Sequence, residues 1–104
     1  MATYVILGNF TDQGIHNVRD TLTRAEALRD MARRFNVSVR ETYWTLGQYD
    51  VLAIFDAPDE QSMTALALAL GQAGNIRTQV LRTFNREEMK GILAKVAQRE
   101  SVPA

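Results

Sequence analysis

The chain has 104 residues, of which 46% are hydrophobic and 23% are charged, a composition typical of one globular domain rather than of a disordered chain. Lys plus Arg and Asp plus Glu both total 12, so the formal charge is zero and no nucleic-acid partner is indicated. Because the chain has no cysteine, disulfides, thiolate metal sites and a cysteine nucleophile are excluded.

The first residues carry no targeting signal that we can identify. Met1 to Tyr4 has no basic segment and leads straight into a strand pattern, so no signal peptide is predicted. The longest apolar-rich run, Ala65 to Leu70, is far shorter than the ~20 residues that span a membrane. We therefore expect a cytoplasmic protein without a membrane partner.

The first third of the chain predicts a strand followed by a helix. Thr3 to Phe10 is rich in strand-forming residues and has two largely apolar faces. The polar stretch from Thr11 to Asp20 predicts a loop or one irregular helical turn. Thr23 and Glu26 have the spacing of a capping box, which predicts a helix beginning there. Asn36 suits the end of this helix because it tolerates a left-handed backbone.

Two further strands, Val37 to Leu46 and Val51 to Ala57, are predicted to form a β-hairpin. The turn between them is Gly47 to Asp50, where glycine can adopt a positive φ angle. Pro58 cannot donate to a sheet ladder and should end the third strand. Asp59 should then cap the next helix.

The last part of the chain predicts a helix, a strand and an appended helix. Met63 to Leu70 alternates like a strand, but its Ala and Leu content and its flanking cap and glycines favour a helix. A fourth strand is predicted over Asn75 to Phe84. Asn85 and Glu88 should cap a helix over 86–99, leaving a flexible tail over 100–104.

This order of elements predicts one α+β domain over residues 1–104. With right-handed crossovers, the compact solution is a ferredoxin-like α/β plait, an antiparallel four-stranded sheet with helices on one face. The first and third strands would then present apolar side chains on the bare face as well. We therefore expect a homo-oligomer, a dimer or larger, that pairs through this open sheet face.

Two segments resemble a known family. The motif Gly47-x-Tyr49-Asp50, reached by Tyr43-Trp44-Thr45-Leu46, and the opening YVILGNFTDQG from Tyr4 to Gly14 resemble the GYD-domain family of small bacterial proteins. The resemblance extends over roughly Tyr4 to Leu93. It implies an α/β plait that assembles as a dimeric α/β barrel or a larger oligomer, and it implies no particular reaction.

A weaker resemblance involves the same turn. The segments Thr45 to Asp50 and Gly74 to Thr78 are similar to the effector-binding domain of leucine-responsive, or feast/famine, transcription regulators. Those domains bind amino acids at subunit interfaces, so the resemblance implies a similar pocket here. No DNA-binding segment is expected before Tyr4, which would leave only the sensing half.

The candidate ligand-binding residues are Tyr43, Trp44, Gly47, Tyr49, Asp50 and Thr78. Taken with the two resemblances, they imply a pocket at a subunit interface that binds a small organic or amino-acid-like ligand. Asp50 either binds backbone N–H groups of its turn or places a carboxylate in that pocket. Tyr43 and Trp44 should point to opposite faces of their strand, so one packs while the other lines a pocket.

The alternative is a cofactor-free enzyme similar to the isomerases and monooxygenases of the dimeric α/β-barrel type. His16 and Asp50 are the candidate catalytic bases, and His16 is the single histidine of the chain. Neither a metal-ligand spacing nor a nucleotide-binding motif is present, so no metal or cofactor is expected. The binding interpretation is favoured because no sequence neighbour would orient His16.

Overall fold

The computed structural model describes the backbone of residues 1–100 and the side chains of residues 1–98. Its elements are β1 (Ala2–Phe10), α1 (Asp12–His16), a 3-10 turn (Val18–Asp20), α2 (Thr21–Arg34), β2 (Ser38–Trp44), β3 (Val51–Ala57), α3 (Glu60–Gln72), β4 (Ile76–Arg82) and α4 (Arg86–Glu100). The strands form one four-stranded antiparallel sheet in the order β2-β3-β1-β4. The predicted α+β ferredoxin-like α/β plait is confirmed.

The hydrophobic core lies between one face of this sheet and the helices α2 and α3. Phe55 of β3 and Leu66 of α3 are fully buried at its centre. Truncating such a side chain to alanine typically costs about 3–5 kcal/mol. The buried hydrophobic residues of this core are Tyr4, Ile6, Ala32, Val37, Ala53, Phe55, Ala57, Met63 and Leu66.

The helix caps read from the sequence are present at α3 and α4. Asp59 accepts a hydrogen bond from Ser62 N at 2.7 Å, and this bond holds the pKa of Asp59 below its ordinary value. Asn85 accepts from Glu88 N at 2.8 Å, while Glu88 accepts from Asn85 N at 3.1 Å. That reciprocal pair is the predicted capping box. The bond from Asn85 N and a second from Arg82 lower the pKa of Glu88.

The predicted start of α2 is wrong. The helix already begins at Thr21, directly after the 3-10 turn, and its N-cap Asp20 makes no side-chain capping bond. Thr23 and Glu26 therefore lie inside the helix, and Thr23 is not the N-cap residue of a capping box. The other end is confirmed, since α2 stops at Arg34 and Asn36 has a φ angle of 60°.

The second face of the sheet carries apolar side chains, as predicted. Val5 pairs with Ile54 and Leu7 pairs with Leu52 across β1 and β3, and all four side chains are half-buried. Tyr43 of β2 lies on the same face and is half exposed. We call this side, opposite α2 and α3, the open sheet face.

Helix α4 extends away from the body of the domain. The radius of gyration is 16.8 Å, against about 13 Å for a compact chain of this length, and the molecule measures 59 × 30 × 20 Å. Met89, Leu93 and Val96 form an exposed apolar face along α4. The helix includes Glu100, and the rest of the predicted flexible tail lies outside the described residues. Among the described residues, no helix is long and apolar enough to cross a membrane.

Candidate functional site

A cavity of about 220 Å³ lies between α2 and the helix-facing side of the sheet. Its walls are mainly apolar, and the lining residues include Ile6, Phe10, Leu28, Met31, Phe55 and Leu70. An apolar cavity of ~150 Å³ is already large enough to bind benzene. This cavity can therefore accept a small ring or a short alkyl chain.

Short side chains leave this space open. Ala25 on α2 and Ala53 on β3 both line the cavity, and neither is long enough to fill the gap between helix and sheet. Gly8 of β1 does not line the cavity, but its missing Cβ atom lets two lining residues pack against the β1 backbone, because a Cβ atom there would lie only 2.4 Å from Ile76 Cδ1 and 2.8 Å from Val51 Cγ2.

Trp44 stands at the rim of the cavity. It is the last residue of β2, pairs with Val51 of β3, and is 43% exposed. Its indole Nε1 donates a hydrogen bond to Thr21 Oγ1 at 2.9 Å, which ties the end of β2 to the first residue of α2. The indole therefore contacts both the cavity and the helix that covers it.

The polar part of the lining consists of Thr21, Arg24, Thr42, Asn75 and Thr78. Arg24 is the one charged side chain among the lining residues. Its guanidinium donates to Asn17 O at 3.1 Å and lies 4.0 Å from the carboxylate of Asp20. The cavity thus combines an apolar interior with a few hydrogen-bonding groups, which is the usual make-up of a small-molecule site.

Asp50 makes two hydrogen bonds to the backbone at the end of β1. Its carboxylate Oδ2 accepts a hydrogen bond from Phe10 N at 2.9 Å, and its own N–H donates to Gly8 O at 2.9 Å. The carboxylate thereby replaces a neighbouring strand where the ladder with β3 has ended. Gly47 in the same loop has a φ angle of 129°, as the predicted turn requires. Asp50 therefore supports Phe10, a cavity residue, without lining the cavity itself.

The sheet divides the predicted ligand-binding residues between its two faces. Trp44 and Thr78 line the cavity together. Tyr43 pairs with Leu52 on the open sheet face. Tyr49 reaches the same face, because its hydroxyl donates to Gln79 Oε1 at 2.9 Å, and Gln79 pairs with Leu7. The opposite orientations expected for Tyr43 and Trp44 are thus present.

The candidate catalytic bases lie outside the cavity lining. His16 is the last residue of α1 and is exposed, and within residues 1–98 its side chain makes no hydrogen bond or ion pair. The carboxylate of Asp50 is engaged by the backbone of Phe10. Catalysis by either residue stays a hypothesis.

Sequence reasoning missed four polar lining residues: Thr21, Arg24, Thr42 and Asn75. Strand parity offers a signal for Thr42, which lies two positions before Trp44 and therefore on the same face of β2. Arg24 lies on the flank of α2 next to Ala25, another lining residue. The gap beneath the helix brings part of that flank into the cavity wall.

The antiparallel sheet with α2 and α3 on one face defines the chain as an α/β plait. The chain belongs to the GYD-domain family, because the model of the GYD domain matches residues 4–93. It is 29% identical over 85 residues to a protein of Thermus thermophilus named "Glutamine synthetase and cystathionine beta-lyase binding protein". The match covers 81% of this chain and 90% of that relative. The weaker resemblance to feast/famine regulators stays a prediction.

Proposed function

We propose that this protein binds a small, mainly apolar molecule in the cavity between α2 and the sheet. The observation that carries the proposal is the cavity of about 220 Å³, whose walls are apolar except for a few hydrogen-bonding side chains. The name of the Thermus thermophilus relative supports binding rather than catalysis as the general role. This site lies within one chain, whereas the sequence had suggested a pocket at a subunit interface.

The affinity of a small probe for such a cavity is measurable. A neutral probe such as 3-phenylpropanol has about ten non-hydrogen atoms, and about 0.5 kcal/mol for each gives a Kd near 0.2 mM. Trp44 is the single tryptophan of the chain and lines the cavity. Its fluorescence therefore reports directly on occupancy.

The test is a titration of the protein with 3-phenylpropanol, followed by Trp44 fluorescence. We expect a saturable change in the parent and a loss of that change in Ala25→Leu, which fills the cavity. Ala94→Leu is the matched control, since Ala94 is exposed on α4 and does not line the cavity. A signal that never saturates, or that survives unchanged in Ala25→Leu, would contradict the proposal.

A second proposed function is the binding of a protein partner through α4. The name of the relative supports this function, and the exposed apolar face of Met89, Leu93 and Val96 supplies a surface of the kind that partners cover. Purified glutamine synthetase and cystathionine beta-lyase should retain the protein when immobilised. Leu93→Glu should abolish retention while the neighbouring Ala94→Glu preserves it. Equal retention of both variants would show that this face of α4 does not bind the partner.

We also propose a homo-oligomer that pairs through the open sheet face, on the strength of its apolar side chains. Light scattering at micromolar concentration should give a mass at least twice the 11.7 kDa of one chain. Leu7→Lys should return that mass to the monomer value, because it places a charge in the centre of the paired faces. A parent that is already monomeric would refute the proposal. The cytoplasmic location remains a prediction, to be tested by cell fractionation.

A further inference from the structure

We propose that the ligand of this cavity is a small carboxylate with an apolar body, and that Arg24 binds the carboxylate. This inference rests on the proposed function and adds to it the chemical class of the ligand. It follows from the distribution of charge around the cavity: Arg24 contributes a positive charge, and no Asp or Glu side chain lines the walls. The apolar interior would hold the body of the same ligand.

Arg24 has hydrogen-bonding capacity to spare. Its guanidinium is positively charged and carries five N–H donors, and within residues 1–98 one of them donates to Asn17 O at 3.1 Å. Its ion pair with Asp20 is long, at 4.0 Å, and Asp20 is 70% exposed, so this pair is weak. The Arg24 side chain itself is only 33% exposed, so its charge is partly shielded from water. A carboxylate entering the cavity can therefore make a charge-assisted, two-point contact with it.

Thr21 adds a second donor beside Arg24. The two residues lie three positions apart on α2, which places their side chains on one face of the helix. Thr21 Oγ1 accepts from Trp44 Nε1, so the hydroxyl oxygen is oriented while its own proton can be donated to a ligand. Thr21 and Arg24 together thus form a donor pair at the helix side of the cavity. A ligand with an anionic end and an apolar end matches this arrangement.

The test compares two probes of matched shape, 3-phenylpropionate and 3-phenylpropanol, by Trp44 fluorescence. The parent should bind the carboxylate at least about tenfold more tightly than the alcohol, as expected for hydrogen bonds to a charged group. Arg24→Gln should remove this preference, which is measured as the ratio of the two dissociation constants and therefore cancels any change in the cavity that affects both probes alike. Arg33→Gln is the control on the same helix, since Arg33 is exposed, pairs with Asp30 and does not line the cavity.

The outcomes separate this inference from the function on which it rests. Equal affinities for the two probes in the parent, or a preference that survives in Arg24→Gln, would overturn the assignment of Arg24 while leaving a cavity that binds apolar molecules. Failure of both probes to bind the parent would overturn the proposed function and this inference together. Arg24→Lys is the control for a folding defect in Arg24→Gln, because lysine keeps the positive charge and should keep part of the preference for the carboxylate.

Discussion

Asp50→Ala tests the claim that this carboxylate fastens the end of β1. The substitution removes the acceptor of the Phe10 N–H, which is partly buried and bonded at 2.9 Å. Loss of a charge-assisted bond that leaves a donor unsatisfied costs about 1.5–3 kcal/mol, and partial access of water reduces this to about 1–2 kcal/mol. In a domain of this size, a destabilisation of 1 kcal/mol lowers Tm by about 4–8 °C. We therefore expect Asp50→Ala to lower Tm by about 5–15 °C.

Thermal melting followed by circular dichroism measures this effect. Asp50→Asn keeps an oxygen acceptor of the same shape and should cost less than half as much as Asp50→Ala. Asp30→Ala is the control, because Asp30 is exposed on α2 and its ion pair with Arg33 is a surface pair worth at most about 0.5 kcal/mol. If Asp50→Ala melts within 2 °C of the parent, about the size of a neutral surface substitution, the hydrogen bond to Phe10 does not stabilise the fold.

Two further predictions concern stability. Gly14→Ala should destabilise the protein by more than about 2 kcal/mol, because a Cβ atom there would lie 1.9 Å from Asn75 O. In Gly71→Ala the new Cβ atom meets nothing within 4 Å, so this substitution should stabilise α3 by about 0.5–1 kcal/mol. Chemical denaturation measures both changes, and equal midpoints for the two variants would show that α1 can shift away from Asn75. The capping hydrogen bonds lower the pKa of Asp59 from 3.8 and that of Glu88 from 4.5. The stability that the two ionised carboxylates contribute is therefore complete above these unfolded-state values, and it is lost as the pH falls through the lower pKa values of the folded state. Tm should therefore decrease less between about pH 6 and pH 3 in the double variant Asp59→Asn, Glu88→Gln than in the parent, and identical pH profiles would contradict this.

The features that sequence predicted correctly depend on neighbours a few residues away. Asp59 reaches Ser62 N, and Asn85 exchanges bonds with Glu88, so the spacing in the chain already contains the geometry. The left-handed backbone of Asn36 is likewise a local property. The order of strands and helices then follows from these boundaries and from the handedness of the crossovers.

The features that the sequence did not predict depend on contacts between residues distant in the chain and on the separation between helix and sheet. The position of Asp50 in the turn suggests that its carboxylate accepts hydrogen bonds from nearby backbone N–H groups. The carboxylate instead accepts from Phe10 N, 40 residues earlier in the chain. The cavity is lined by the short side chains of Ala25 on α2 and Ala53 on β3, and the width of the gap between helix and sheet depends on the packing of the whole helix. No spacing in the chain encodes that width, so Arg24 could not be recognised as a lining residue.

The most direct test of the cavity as the binding site is an NMR titration of alanine-labelled protein with 3-phenylpropanol. Ala25 and Ala53 are two of the four alanines that line the cavity, whereas Ala94 and Ala97 lie exposed on α4. We predict saturable shifts of the Ala25 and Ala53 methyl signals with one shared Kd, while the two α4 signals remain in place. Unchanged signals from Ala25 and Ala53 at saturating probe would contradict a ligand site between α2 and the sheet.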